Sequence, residues 1–106
     1  MGKGGRKKPN RLGEKLLAIR LQLGVSQSQL AKLLDFDKGT ARISEYETDN
    51  REPDLMTLLK YSRLVRVPME ALADDQLELK FPKAWKRPKH VTELLRQQGL
   101  VRITTG

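Results

Sequence analysis

The sequence predicts an all-α fold in which five short helices share one core. Apolar residues recur at helical spacing between residues 12 and 73, and residues that start or end helices separate the runs. Of the 106 residues, 38% are hydrophobic and only 5% aromatic, so the core is expected to consist mainly of aliphatic side chains. The chain contains no cysteine, which excludes disulfides and thiolate metal sites.

The first three predicted helices carry their own boundary signals. Gly24 is a suitable end for the first helix, and Ser26 with Gln29 forms a capping box at the start of the second. The third covers residues 40–47 and follows a turn in which Asp37 is a candidate N-cap. The apolar positions are Leu12, Leu16, Ile19 and Leu23 in the first helix, Leu30, Ala31, Leu33 and Leu34 in the second, and Ile43 and Tyr46 in the third.

Two further helices complete the predicted core domain, residues 12–73. Asp54 is the predicted N-cap of the fourth helix, and Pro68 fits the first turn of the fifth. The fourth helix carries Leu55, Leu58, Leu59 and Ser62 on one side, and the fifth carries Met69 and Leu72.

Residues 74–106 predict a short strand–helix–strand appendix. The segment from Leu77 to Phe81 alternates between apolar and polar residues like a strand. Residues 91–98 then have helical spacing with Gly99 as a C-cap, and residues 100–104 alternate again. Because two short strands are marginal alone, this extension is expected to pair within the chain or with a second chain.

The formal charge of +8 is concentrated at the two ends. Residues 1–11 contain five bases and no acid, residues 12–79 nine bases and twelve acids, and residues 80–106 seven bases and one acid. The first segment has little to bury and predicts a disordered basic arm, and the excess positive charge predicts attraction to a polyanion. In the basic C-terminal part, Trp85 either stacks on a nucleic-acid base or anchors its segment to the core.

Targeting signals are not evident in the sequence. No apolar run approaches the roughly 18 residues of a membrane span, and residues 1–11 lack the apolar segment of a signal peptide. A cytoplasmic protein without membrane contact is therefore expected.

The most informative segment is residues 12–72, in which many positions match one known pattern. They are Leu12-Gly13-Glu14, Leu16, Ile19-Arg20, Gly24-Val25-Ser26-Gln27, Leu30-Ala31, Leu34, Ile43-Ser44, Tyr46-Glu47, Pro53, Leu55, Thr57, Leu58 and Leu59. With these residues the chain resembles the helix-turn-helix family of phage repressors, Cro and related bacterial regulators, the xenobiotic-response-element type. One departure is a spacing between Leu34 and Ile43 that is about two residues longer than usual, which implies a longer turn or an earlier start of helix three.

The resemblance implies three groups of site residues. The start of helix three would enter the major groove and read bases with Lys38, Thr40, Ala41, Arg42 and Glu45. Phosphates would be bound by Gln27, Ser44, Asn50 and Arg51. Arg20 and Glu47 would form a partly buried salt bridge that joins helix one to the end of helix three and sets its orientation.

The resemblance also implies a function. It indicates a sequence-specific regulator of transcription that binds double-stranded DNA, acts as a repressor, forms a homodimer and needs no cofactor. The alternative is an antitoxin or other interaction module whose C-terminal extension binds a partner protein, such as a toxin or another regulator. An enzyme is disfavoured, because there is no glycine-rich phosphate loop or nucleophile constellation and His90 is the only histidine.

Overall fold

Six α-helices make up the regular structure of the described residues, 9–36 and 39–97, in a computed structural model of the chain. They are α1 (Leu12–Leu23), α2 (Gln27–Leu33), α3 (Thr40–Glu47), α4 (Leu55–Val65), α5 (Met69–Ala73) and α6 (Lys89–Gln97). The predicted all-α fold with five helices between residues 12 and 73 is therefore confirmed. None of the helices in these two ranges has the length and hydrophobicity that a membrane span requires.

The core forms around α1. This helix packs against α3, α4 and α5, while α2 packs against α3. Leu16, Ile19 and Leu23 of α1 are fully buried, because their spacing places them on one face of the helix. Not every predicted core position lies inside, since Leu55 at the start of α4 is exposed.

The helix boundaries follow the predicted caps in most places. The backbone N–H of Gln29 donates to Ser26 Oγ (3.1 Å), and the N–H of Ser26 donates to Gln29 Oε1 (2.7 Å), which completes the capping box. Gly24 ends α1 in the left-handed conformation, with φ at 73°. Asp54 caps α4 by accepting from the N–H of Thr57 at 2.8 Å, an interaction that lowers the pKa of Asp54. Pro68 is the N-cap of α5 and so precedes its first turn.

The predicted strand from Leu77 to Phe81 is wrong, because the described residues contain no strand. The N–H of Leu77 instead closes a turn on the carbonyl of Asp74 (3.0 Å), and Leu79 and Phe81 pack against the helical core. An alternating pattern shows that one side of a segment is buried, but a strand also needs a hydrogen-bonded neighbour. The second predicted strand, residues 100–104, lies outside the described residues, as does the predicted C-cap Gly99.

The C-terminal extension is attached to the core by Trp85 and α6. The indole N–H of Trp85 donates to the carbonyl of Val65 at the end of α4 (3.0 Å), and its ring meets the edge of Phe81 at a centroid distance of 6.2 Å. In α6, Val91 and Leu95 are buried in the same core as α1. Of the two readings of Trp85, the structure favours the anchor.

The chain before α1 contacts the loop that follows α5. The carboxylate of Asp75 accepts from the backbone N–H groups of Asn10 (2.8 Å) and Arg11 (3.0 Å), which lowers the pKa of Asp75. The side chain of Arg11 donates to Glu78 (2.9 Å) and lowers the pKa of that carboxyl. Residues 1–8, most of the predicted basic arm, lie outside the described residues.

Lys15 connects α1 to the end of α5. Its side chain is only 2% exposed, and Nζ donates to the carbonyl oxygens of Ala71 (2.8 Å), Asp74 (2.8 Å) and Leu77 (2.9 Å). The last carbonyls of a helix have no partner within the helix and carry its negative dipole end. A buried ammonium group at this place therefore satisfies them and fixes the start of the extension to α1.

Replacing Lys15 with methionine should destabilise the protein by about 3 kcal/mol, because the apolar side chain fills the space but leaves three carbonyls without their charged donor. Chemical denaturation monitored by circular dichroism measures the change. Lys80→Met is the matched control, since Lys80 is exposed and should shift stability by no more than about 0.5 kcal/mol. Equal stabilities for the two variants would contradict this role of Lys15.

Candidate nucleic-acid interface

The predicted site residues that the structure describes lie on α1, α2 and α3 and in the loop after α3. Thr40, Ala41 and Arg42 are exposed in the first turn of α3. Glu45 follows three residues after Arg42, so the two side chains share one face of the helix. Lys38, which was also predicted to read bases, lies outside the described residues. The start of α3 therefore presents three of the predicted base-reading side chains to solvent.

The turn between α2 and α3 accounts for the unusual spacing. Because α2 ends at Leu33 and α3 begins at Thr40, six residues separate the two helices, and the longer turn is the alternative that applies. Within it Asp35 has a φ of 63°, and the N–H of Phe36 returns to the carbonyl of Ala31 at 2.9 Å. The N-cap of α3 is Gly39 and not Asp37.

Gly39 is required by close packing at the end of this turn. The residue is buried, and a Cβ atom placed on it would lie 2.5 Å from Cβ of Phe36 and 2.9 Å from Cβ of Ala31. Both distances are shorter than any ordinary carbon contact, and both atoms belong to short, inflexible parts of their side chains. Only glycine lets the turn approach α2 this closely before α3 begins.

Phe36 connects the turn to both sides of α3. Its ring meets the edge of Tyr46, a buried residue of α3, at a centroid distance of 6.3 Å. The guanidinium carbon of Arg42 lies 4.8 Å from the centroid of the same ring, which is the distance of a cation–π contact. Phe36 thus positions a candidate base-reading residue. This role of Phe36 was not predicted from the sequence, because the only signal was an aromatic residue in an otherwise polar turn.

A buried salt bridge connects α1 to the end of α3. Arg20 donates to Glu47 through Nε (2.6 Å) and Nη2 (3.1 Å), and the two side chains are 16% and 5% exposed. Arg20 also donates to the carbonyl of Val25 in the link between α1 and α2 (3.2 Å). This two-pronged geometry fixes both partners in direction as well as in distance.

Gln27 joins the same network from the first turn of α2. Its side-chain amide donates to Glu47 Oε1 at 3.1 Å, so Glu47 accepts from α1 and from α2. The amide nitrogen has two hydrogens, and this bond uses one of them. The network therefore sets the positions of α2 and α3 relative to each other.

The loop after α3 holds two further predicted phosphate-binding residues, Asn50 and Arg51. The backbone N–H groups of Asn50 (2.8 Å) and Arg51 (3.2 Å) donate to the carbonyl of Glu45, and the Asn50 amide donates to Thr48 Oγ1 (2.8 Å). Arg51 Nε pairs with the Glu45 carboxylate at 2.7 Å, with both side chains about half exposed. Ser44 is half-buried in α3. The Arg51–Glu45 ion pair uses one of the five N–H groups of Arg51 and one carboxylate oxygen of Glu45.

The comparisons with known proteins agree with this architecture. Residues 16–72 match the family model described as helix-turn-helix. The chain belongs to the helix-turn-helix family. This confirms the resemblance to the phage repressor and Cro-like proteins.

One curated relative of this helix-turn-helix protein supports the same relationship. The HTH-type transcriptional regulator ImmR of Bacillus subtilis (strain 168) is 39% identical over 61 residues. The aligned part is 58% of this chain and 46% of ImmR, so the chain spans less than half the length of that relative. No solved structure matches the chain.

Replacing Arg20 with alanine should destabilise the protein by about 3 kcal/mol, because Glu47 would remain buried without its charged partner. The loss should also weaken DNA binding, since α3 would no longer be fixed against α1. Arg96→Ala is the control: its partner Glu93 and Arg96 itself are about half exposed, and such surface pairs contribute about 1 kcal/mol at most. Unchanged thermal stability and affinity for Arg20→Ala would contradict the role of the pair.

Replacing Gly39 with alanine should cost about 1–3 kcal/mol of stability, because the new methyl group must displace Phe36 or Ala31. Thr40→Ala, at the next and exposed position, should leave the unfolding midpoint nearly unchanged. Thermal unfolding of the two variants beside the unchanged protein makes the comparison. A midpoint for Gly39→Ala as high as that of Thr40→Ala would show that the turn is not constrained here.

Proposed function

We propose that the chain is a non-enzymatic, sequence-specific regulator of transcription that binds double-stranded DNA by inserting α3 into the major groove. The observation that carries the proposal is the exposed first turn of α3. The other end of this helix is held by the Arg20–Glu47 salt bridge. A helix can read base edges only when its orientation is fixed, since each base contact depends on hydrogen-bond geometry. The membership of the helix-turn-helix family supports the same function.

The residues of α3 have complementary roles in this proposal. Arg42 donates to O6 and N7 of a guanine, and its contact with Phe36 limits the directions it can take. Glu45 accepts from the amino group of a cytosine after Arg51 has moved to a phosphate. Thr40 and Ala41 contact a thymine methyl group.

The phosphate contacts surround this reading face. Gln27 lies before it on α2, and Asn50 and Arg51 lie after it in the loop, so the three can bind the backbone on both sides of the groove. Ser44 completes the proposed set. These contacts fix the register of the protein on the duplex but do not select the sequence.

The proposed regulator acts as a homodimer and a repressor. Two protomers would read half-sites about 34 Å apart, one helical turn, in a nearly palindromic site. The name of the relative ImmR, a transcriptional regulator, supports regulation. The alternative is an antitoxin or other interaction module whose C-terminal extension binds a partner protein. It has less support, because an extension that folds only on its partner would not already pack on the core, as Trp85 and α6 do.

Selection from random DNA, followed by affinity measurements over a range of salt concentrations, tests the proposal. The unchanged protein should enrich a nearly palindromic site, and Arg42→Ala should bind that site about 10- to 100-fold more weakly and lose discrimination at one base pair. Arg42→Lys keeps the charge but not the planar fork, so it should also lose discrimination.

Lys80→Ala provides the control for this experiment, because it removes an exposed positive charge outside α3. It should retain the selected sequence. The absence of any sequence preference in the unchanged protein, at every salt concentration, would contradict the proposed function.

A further inference from the structure

A groove with a strongly basic lining lies where the C-terminal extension passes the end of α4. Its charged residues are Arg63 in α4 and Arg66 at the C-cap of that helix, together with Lys86, Arg87 and Lys89 of the extension. No aspartate or glutamate lines it. We call this feature the basic groove.

Within the part of the chain that the structure describes, the five cations of the basic groove have no carboxylate partner. None of them forms a salt bridge among residues 9–36 and 39–97. Three arginines outside the groove are paired, Arg11 with Glu78, Arg51 with Glu45 and Arg96 with Glu93. Five like charges close together raise the local positive potential, and their mutual repulsion destabilises the protein in the absence of a ligand. A bound anion reduces both the potential and the repulsion.

The walls of the basic groove are held in place before any ligand arrives. Trp85 is fixed to Val65 by its indole N–H, and the N–H of Trp85 closes a turn on the carbonyl of Pro82 at 2.9 Å. At the other end, the N–H of Val91 closes a turn on Pro88 (3.1 Å), and Val91 itself is fully buried. An ordered backbone lowers the entropic cost of using these cations together.

The lining chemistry fits a phosphate backbone better than a protein surface. Stable protein interfaces depend on a buried apolar or aromatic centre. In the basic groove the one large aromatic residue, Trp85, already uses its N–H on Val65 and packs its ring against Phe81. What the groove offers is a row of arginine and lysine head groups, which is the chemistry that neutralises phosphates.

The position of Arg87 relates the basic groove to the proposed DNA-binding face. Its guanidinium lies 3.3 Å from the point at which a Cβ atom of Gly24 would stand, beside the link between α1 and α2. Gly24 precedes Gln27, a proposed phosphate contact, by three residues, which span at most about 11 Å. The groove therefore begins next to the edge of the proposed interface.

We propose that the basic groove binds the phosphate backbone of the DNA that flanks the site read by α3. The inference rests on the proposed function and adds a second, sequence-independent surface to it. In this arrangement the core domain, whose residues 12–73 carry as many acids as bases, obtains part of its attraction for DNA from the C-terminal extension.

The test compares two double variants that each lose two exposed positive charges. Arg63→Gln/Lys86→Gln changes the basic groove but retains Trp85 and Arg66, which ends α4 with a φ of 59°. Lys80→Gln/Arg96→Gln changes charges outside the groove. Affinity for the selected site is measured against salt concentration, on a duplex with about one helical turn of flank on each side and on a duplex trimmed to the site.

On the long duplex, the slope of log affinity against log salt should be less steep for the groove variant, less negative by about 2, since each phosphate contact contributes about −0.9. The control should keep the slope of the unchanged protein, and on the trimmed duplex all three proteins should agree. The selected sequence should be the same for all three.

Equal slopes for the groove variant and the control on the long duplex would overturn the inference, and they are the result expected if the groove binds an acidic protein. An equal loss of slope on both duplexes would also overturn it, because the contact would then not be to the flank. Neither result contradicts the proposed function, which fails only if the unchanged protein selects no sequence.

Discussion

The Arg20–Glu47 salt bridge is the interaction on which the arrangement of the helices depends. Through it the last turn of α1 reaches the end of α3, and the hydrogen bonds to Val25 and Gln27 bring the link to α2 and its first turn into the same network. A pair this deeply buried adds less net stability than its distances suggest, because both charges lose hydration. What it provides is direction, since the two parallel hydrogen bonds from Arg20 to Glu47 fix the orientation of both side chains.

The surroundings of this pair explain why Glu47 needs Arg20 as its charged partner. Tyr61 lies in the same core, is fully buried, and its hydroxyl has no hydrogen-bond partner among the described residues. Burial raises the pKa of Tyr61, and the charge of Glu47 raises it further, so the phenol stays neutral. A neutral neighbour leaves Arg20 as the main compensation for Glu47. At the other end of α3, Gly39 and Phe36 fix the helix by packing instead of charge.

The C-terminal extension changes how the charge of the chain is distributed in space. Along the sequence its basic residues form a separate tail, but Trp85 and α6 fold it back on the core. Its cations then line one groove together with Arg63 in α4 and Arg66 at the C-cap of that helix. Sequence position alone separates these two groups by about twenty residues, and only the return of the chain brings them into one groove.

The sequence by itself determined the features that a few neighbouring residues control. The capping box of Ser26 and Gln29 and the end of α1 at Gly24 follow from local backbone chemistry, and the partners Arg20 and Glu47 followed from the family resemblance. The tertiary structure alone decided which residues meet across the fold. Lys15 has the pattern of an ordinary helix surface lysine, yet it is buried because α5 ends above it and needs a donor. In the same way, residues 77–81 have the pattern of a strand, but among the described residues no neighbouring strand exists to complete one.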